Sequence, residues 1–202
     1  PKMSRDEVVS FFGFEDLRAK KPLIMVLQHV ISGEVDAGAR QLRETIEAVT
    51  SLDALCVINY PNTDMGSRDM IREIESSRSL PYVRVTRNIP RIPFVNLLRN
   101  IDVLVGNSSM ALLEGSFLKI PAINVGERNK DRMNGGNVVF VEPERKKIRT
   151  ALEKIISDEK YYKTLKKCTS VYGDGKASLK IIRSLKKLNK SRPIILAKNI
   201  TY

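Results

Sequence analysis

Long apolar runs, cysteine and histidine are all scarce in this 202-residue sequence, which contains two cysteines and one histidine. No apolar run approaches the roughly 20 residues that a transmembrane helix needs, so no membrane span is expected. The first ten residues, PKMSRDEVVS, contain no apolar segment of a secretory signal, and a cytoplasmic location is predicted. Cys56 and Cys168 lie far apart and outside any metal-ligand spacing. Cys56 belongs to an apolar run, where a small buried side chain is the favoured interpretation.

The net charge of +12 raises the question of a nucleic-acid partner. Residues 145–190 contain 15 Lys and Arg against 4 Asp and Glu, which is nearly the whole excess. Apolar residues recur there at helical spacing (Ile148, Leu152, Ile155, Ile156; Leu179, Ile182, Leu185), so the lysines are expected on the outer faces of amphipathic helices. Aromatic residues that could stack on bases do not accompany the charge, and no nucleic-acid partner is expected.

Continuous apolar runs alternate with amphipathic segments along most of the chain. Runs of this kind are typical of strands buried on both faces of a parallel sheet, and the alternation predicts a doubly wound, Rossmann-like α/β domain. The expected strands are PLIMVLQ, ALCVINY, YVRVT, DVLVG, PAINVG and NVVFVE. The expected helices are residues 4–12, 39–52, 68–77, 92–99 and 108–118, followed by the basic helices.

Right-handed crossovers place the carboxyl ends of all strands along one edge of such a sheet, where ligands bind. The loops predicted at that edge are HVISGE, NYPNTDMGS, GNSSM and GERNKDRMNGG. They carry the only histidine, His29, directly after the first strand. A lone histidine is often structural, but at this edge it could hold a proton or donate to a phosphate near neutral pH.

The segment after the fourth strand contains further candidate ligand residues. Ser108 and Ser109 precede a predicted helix, where free N–H groups and hydroxyls suit a pyrophosphate, although serine is also an ordinary helix cap. Glu114 could accept hydrogen bonds from the vicinal hydroxyls of a ribose, or could simply face solvent. Arg128, just past the next strand, could grip a phosphate with both arms of its guanidinium.

Four segments together resemble the UDP-N-acetylglucosamine 2-epimerase family, and more closely its hydrolysing branch. They are YPNTDMGSRDM, IPFVNLLRNIDVLVGNSS, GNSSMALLEGSFLKIPAINVGERNKDR and VYGDGKA, and they occur in the family's order over residues 22–188. The sequence NSSM, where the non-hydrolysing branch has DSGG, favours the hydrolysing branch. The histidine loop differs from the family, which usually has proline or arginine where this chain has Val30.

The resemblance implies a fold and a set of site residues. It implies one half of a glycosyltransferase-B-type fold, with residues 1–20 as a linker helix, 21–190 as the UDP-binding C-terminal domain and 191–202 as a tail. It further implies that His29 is catalytic and lies beside the sugar–phosphate bond. The residues implied to bind UDP are Phe94 (at the uracil), Asn107, Ser108, Ser109, Glu114 (at the ribose) and Arg128, with Asn62, Asp64 and Ser67 also lining the cleft. No metal and no cofactor are implied.

The resemblance also implies the reaction and its partners. UDP is eliminated from UDP-N-acetylglucosamine, and water then adds to give N-acetylmannosamine, a precursor of sialic acid. The carboxylates that remove the C2 proton belong mostly to the family's N-terminal domain, so this chain alone is expected to be inactive. UDP or UDP-N-acetylglucosamine, that N-terminal domain and a second copy in a homodimer are the expected partners. The alternatives are the nucleotide-sugar half of a glycosyltransferase and a regulatory domain that only binds.

Overall fold

A computed structural model describes residues 1–14 and 21–188 of the chain. The strands are Leu23–Leu27 (β1), Leu55–Asn59 (β2), Val83–Thr86 (β3), Val103–Gly106 (β4), Ala122–Val125 (β5) and Val138–Val141 (β6). The helices are Arg5–Phe11 (α1), Val35–Thr50 (α2), Ser67–Ser76 (α3), Arg91–Asn100 (α4), Glu114–Leu118 (α5), Arg145–Ser157 (α6), Glu159–Leu165 (α7) and Ala177–Lys187 (α8).

All six strands form one parallel sheet in the order β3-β2-β1-β4-β5-β6. This is the strand order of the Rossmann fold, and the predicted doubly wound α/β class is confirmed. The order reverses between β1 and β4, where Leu27 is paired with Gly106. A crevice opens outside the carboxyl ends of the strands at such a reversal, so the residues that follow β1 and β4 are placed for ligand binding.

The sheet is covered on both faces, which explains the continuous apolar runs. On one face Ile24 and Val26 pack in a core with side chains of α2, α3 and α6. On the other face Met25 and Leu27 pack with side chains of α1 and α4. Every residue of β1 is buried, so alternation of polar and apolar residues is not possible in this strand. Cys56 is a fully buried core residue, as predicted, and burial raises the pKa of its thiol.

Helix α1 begins at a capping box, in agreement with the helix predicted over residues 4–12. The Ser4 hydroxyl accepts a hydrogen bond from the Glu7 amide, and the Glu7 carboxylate accepts one from the Ser4 amide at 2.7 Å. These bonds with Ser4 lower the pKa of Glu7. Arg5 ties the helix to the sheet through a 2.7 Å ion pair with Asp102. Of the predicted linker helix over 1–20, residues 15–20 lie outside the described residues.

The chain divides into two compact units, Pro1–Val171 and Tyr172–Tyr202. The predicted domain boundary after residue 190 and the predicted tail 191–202 both lie outside the described residues. In the first unit, α6 buries Ile148, Leu152 and Ile155 as its pattern predicts. In the second unit, α8 has the predicted amphipathic pattern but buries no residue. In the parts that the structure describes, no helix combines the length and apolarity that crossing a bilayer requires.

The helix predicted over residues 108–118 is broken into a 3₁₀ turn, Ser109–Ala111, and the short helix α5. A continuous α-helix would bond the Ala111 carbonyl to the Gly115 amide. Instead the side-chain amide of Asn137, at the start of β6, donates to the Ala111 carbonyl at 2.9 Å and to the Ile120 carbonyl at 2.9 Å. The prediction of one helix is wrong because a side chain distant in sequence takes the carbonyl that the helix needs.

Candidate nucleotide site

A cavity of about 420 Å³ opens at the carboxyl ends of β1, β2 and β3. It brings together three residues that the sequence singled out, His29, Asn62 and Phe94. Its lining residues are Leu27, His29, Asn59, Tyr60, Pro61, Asn62, Arg87, Asn88, Ile89 and Phe94. Three strand ends and the first turns of α4 thus form one concave wall.

The loop after β3 contributes Arg87, Asn88 and Ile89 to the cavity and is not one of the four loops predicted at this edge. The sequence does contain a signal for this loop. YVRVT is a predicted strand, and the carboxyl end of a parallel strand lies at the same edge of the sheet as those of its neighbours. Arg87 lies over the ring of Tyr60, with the guanidinium carbon 5.9 Å from the ring centre. A cation therefore borders the cavity on the side opposite β4.

His29 lies two residues after the end of β1, and its backbone is held by Asn107, which directly follows β4. The Asn107 side-chain oxygen accepts from the His29 amide at 2.7 Å, and the Asn107 side-chain nitrogen donates to the His29 carbonyl at 2.8 Å. Both polar atoms of Asn107 are thus occupied, and the residue is fully buried. Asn107 extends the pairing of β1 and β4 beyond the last ladder pair, Leu27 with Gly106.

The backbone of Asn107 is held in turn from the loop after β5. Its carbonyl accepts hydrogen bonds from the Asn129 side chain at 2.9 Å and from the Arg128 guanidinium at 3.2 Å. Asn129 is buried and also donates to Asn124 at 2.9 Å. The exposed guanidinium of Arg128 is therefore anchored beside the end of β4.

The His29 imidazole accepts a hydrogen bond at Nδ1 from the backbone amide of Asn62, at 3.1 Å. Half burial of the ring lowers the pKa of His29, the positive charge of Arg128 lowers it further, and the carboxylate of Asp64 acts in the opposite direction. The neutral ring is therefore favoured. With Nδ1 accepting, its proton lies on Nε2.

The lowered pKa of His29 predicts a pH dependence of folding stability. As the pH falls below about 6.5, the unfolded chain takes up the proton more readily than the folded chain, so the unfolded state gains stability. The free energy of unfolding should thus fall as the pH drops from 6.5 through the folded-state pKa. Urea unfolding at about pH 7.5 and about pH 5 measures this loss. The loss should be smaller in His29→Gln, and equal losses in the two proteins would contradict the prediction.

Of the predicted serine pair, Ser109 begins the 3₁₀ turn after β4 and Ser108 is its N-cap. Ser108 is buried, and its hydroxyl accepts from the Met110 amide at 3.3 Å, while Ser109 is half-buried. Glu114 is the first residue of α5 and is exposed. Among the described residues, the lining of the cavity includes neither the serines nor Glu114. The serines follow β4, at the neighbouring part of the same sheet edge.

Asp64 and Ser67 hold the loop of Asn62 but do not line the cavity. The Asp64 carboxylate accepts from the Asn62 side chain at 2.5 Å, and the Asp64 carbonyl accepts from the Ser67 amide at 3.0 Å. Gly66 turns the chain with a φ of +86°, and a Cβ there would lie 2.9 Å from Val35. Asn62 alone of the three reaches the cavity.

Fold and site together define a Rossmann-like α/β domain, with a cavity at the carboxyl ends of β1, β2 and β3 beside the reversal of strand order. The chain belongs to the UDP-N-acetylglucosamine 2-epimerase family, whose family model matches residues 3–186. This confirms the family that the four sequence segments indicated.

Two curated relatives have names that specify the hydrolysing reaction. The chain is 31% identical over 186 residues to the UDP-N,N'-diacetylbacillosamine 2-epimerase (hydrolyzing) of Legionella pneumophila. The alignment covers 91% of this chain and 46% of the relative. It is 26% identical over 148 residues to the GDP/UDP-N,N'-diacetylbacillosamine 2-epimerase (hydrolyzing) of Campylobacter jejuni, over 71% of this chain and 38% of the relative. The chain thus spans less than half the length of these relatives.

Solved structures share the fold. The UDP-GlcNAc 2-epimerase of Neisseria meningitidis bound to UDP-GlcNAc superposes with a TM-score of 0.71 at 19% identity, over 90% of this chain and 48% of that one. The Staphylococcus aureus MnaA–UDP structure gives 0.68 at 16% identity, over 89% and 47%. A glycosyltransferase of Rickettsia africae gives 0.57 at 16% identity, over 93% and 54%. The predicted half of a glycosyltransferase-B-type fold is confirmed by these neighbours.

Proposed function

We propose that this chain binds the UDP part of a UDP-sugar and forms the nucleotide-binding half of a hydrolysing 2-epimerase. The observation that supports it best is the shared cavity of His29 and Phe94, which lies next to the Ser108–Ser109 turn and Arg128 at the strand-order reversal. The names of the hydrolysing relatives support the reaction class. The two free thiols are compatible with the cytoplasm, which is part of the proposal, as is assembly into a homodimer.

In this proposal the uracil lies in the cavity against Phe94. The diphosphate lies beside the 3₁₀ turn, where the hydroxyl of half-buried Ser109 and the guanidinium of Arg128 face it together with Ser108. Glu114, exposed at the start of α5, takes the ribose hydroxyls. Asn107 has no free polar side-chain atom, so it acts through the His29 backbone and not as a direct ligand.

The proposed reaction breaks two bonds of the substrate and then adds water. Loss of the C2 proton and cleavage of the bond from C1 to the phosphate oxygen give 2-acetamidoglucal and UDP. Water then adds to the double bond and yields free N-acetylmannosamine. The residues of this chain stabilise the departing diphosphate through Arg128, the serines and the Nε2–H of His29. The C2 base is a carboxylate of the family's N-terminal domain, so we propose that this chain alone binds UDP without turnover.

Calorimetric titration with UDP tests the binding directly. UMP, ADP, GDP and UDP-N-acetylglucosamine are titrated in parallel, with GDP included because the name of the Campylobacter relative covers both nucleotides. Selective binding of UDP in the micromolar-to-millimolar range supports the proposal. Absence of binding at millimolar UDP contradicts it for the isolated chain.

Glu114→Ala is expected to weaken UDP binding by about 1–3 kcal/mol, because the ribose hydroxyls lose their charged acceptor. The dissociation constants of the variant and the parent chain, measured by calorimetry, give this difference. Glu153→Ala provides a matched control, because Glu153 is an exposed glutamate on α6 that pairs with Arg149. An unchanged affinity in Glu114→Ala removes Glu114 from the site.

A glycosyltransferase is the second candidate, supported by the fold shared with the Rickettsia africae enzyme. Supplying the family's N-terminal domain and analysing the products from UDP-N-acetylglucosamine separates the two. Free N-acetylmannosamine and UDP support the epimerase, whereas transfer of the sugar to an acceptor supports the transferase. UDP binding without any product in that assembly favours a domain that only binds.

A further inference from the structure

The loop that connects β2 to α3, residues 60–66, approaches His29 through its backbone. The Asn62 amide lies 3.1 Å from His29 Nδ1, and 33 residues separate the two positions in sequence. A backbone N–H can only donate, so the ring nitrogen that faces it must carry a lone pair. This contact depends on the path of the loop and not on the identity of the Asn62 side chain.

We propose that the 60–66 loop is a positioning element that fixes the proton of neutral His29 on Nε2, so that His29 meets its ligand as a hydrogen-bond donor and not as a base. The inference rests on the proposed function only in supplying a diphosphate oxygen as the acceptor. Asn62 is a positioning residue through its backbone. A mixture of the two ring tautomers, as in free imidazole, would leave part of the population without that donor.

The loop is held at both ends, which keeps the Asn62 amide in place. At its start the Tyr60 amide donates to the Thr86 carbonyl at 2.9 Å, and the Tyr60 hydroxyl bonds the Glu75 carboxylate. Arg78 and that hydroxyl together hold the pKa of Glu75 at about 2. At its end, Gly66 makes a left-handed turn against Val35, and an added Cβ there would lie 2.9 Å from a methyl carbon of Val35.

Protonation of His29 is incompatible with this contact, because the imidazolium would place a second N–H opposite the Asn62 amide. Two charged groups act on the ring: Arg128 from the loop after β5 opposes its protonation, and Asp64 from the 60–66 loop favours it. Arg87, from the loop after β3, lines the same cavity. Acidification must therefore move the Asn62 amide away from the ring.

The single histidine of the chain makes the tautomer directly measurable. Two-bond ¹H–¹⁵N correlation NMR of the full chain with ¹⁵N-labelled histidine gives the shifts of both ring nitrogens of His29. Above its pKa, Nδ1 is expected at the shift of an unprotonated nitrogen and Nε2 at that of a protonated one. Averaged shifts, or the proton on Nδ1, would overturn the proposal.

A second measurement on the parent chain tests the proposal without any variant. In a pH titration, the backbone amide resonance of Asn62 is expected to move with the same midpoint as the ring of His29. An Asn62 amide resonance that does not respond to the titration of His29 would also overturn the proposal.

Two substitutions of Asn62 distinguish the effect of its backbone N–H on the His29 tautomer from the effect of its side chain. Asn62→Ala keeps the N–H and is expected to keep the Nε2–H tautomer. Asn62→Pro removes the N–H and is expected to give averaged ring shifts and a higher His29 pKa. Circular dichroism checks that each variant folds. If Asn62→Pro does not fold, the tautomer and the amide titration of the parent chain decide the question.

UDP titration in the same samples distinguishes this inference from the proposed function. A fixed Nε2–H tautomer in a chain that does not bind UDP supports the positioning role and contradicts the proposed ligand. UDP binding by a chain with a mixed tautomer contradicts the positioning role and leaves the proposed function standing. On UDP binding, the Nε2–H proton resonance is expected to shift if that proton meets the diphosphate.

Discussion

Gly106→Ala is expected to lower the free energy of unfolding by about 4 kcal/mol, through backbone strain together with a steric clash. Gly106 ends β4 with a φ of +136°, a conformation that residues with a side chain rarely adopt. A Cβ at this position would overlap the Leu27 carbonyl oxygen and lie 2.6 Å from the carbonyl carbon. Because these atoms belong to the paired strand β1, neither strand can move without breaking the ladder. Urea unfolding of the two proteins measures the loss.

Substitutions of two other glycines distinguish the cost of backbone strain from the cost of the steric clash. Gly33 has neither a left-handed φ nor an atom within 4 Å of an added Cβ, so Gly33→Ala should change stability by less than about 0.5 kcal/mol. Gly136 has a φ of +89° but also has open space around the position of a Cβ. Gly136→Ala should therefore cost only the strain, about 1–3 kcal/mol. A loss in Gly106→Ala no larger than that in Gly136→Ala would show that the sheet yields at this point.

Asn107→Ala is expected to lower the free energy of unfolding by about 3 kcal/mol and to disturb His29. The substitution leaves the amide and the carbonyl of His29 without their Asn107 partners beside a fully buried position. Urea unfolding gives the energetic effect, and the His29 ring shifts in NMR spectra report the displacement.

Asn134→Ala is the matched control for this prediction. The Asn134 side chain accepts one hydrogen bond, from the Gly136 amide at an exposed position, so its loss should cost less than about 1 kcal/mol. If Asn107→Ala unfolds with the same free energy as the parent chain, water replaces both bonds and Asn107 does not hold the histidine in place.

The parallel sheet could be predicted from the sequence because its strands are buried on both faces. A run such as LIMVL in β1 can be satisfied only between two layers of helices, and short connections then require crossovers. The carboxyl-edge rule next placed His29 and Asn62 near each other, and the structure brings both to one cavity. Periodicity of apolar residues likewise predicted the buried face of α6.

Contacts between residues distant in sequence explain the features that could not be predicted. The carbonyl that Asn137 takes from the 108–118 segment lies 26 residues away, and no local propensity reports it. From the sequence, Asn107 is interpreted as a turn residue or a ligand. Only the pairing of β1 with β4 shows that its side chain hydrogen-bonds the backbone of His29. Helix α8 has the predicted amphipathic pattern but buries no residue. Periodicity predicts an apolar face but does not specify whether other residues cover that face.

The strand order also fixes when the site can exist during synthesis of the chain. Strands β1, β2 and β3 are consecutive in sequence and adjacent in the sheet, so they can pair as soon as they have been made. His29 and Asn107 are 78 residues apart, and the loop after β5 that holds Asn107 comes later still. A growing chain therefore has half of its sheet before it has any of the β4 side of its nucleotide site. Closing that long separation is the step with the largest entropic cost among the contacts of the site.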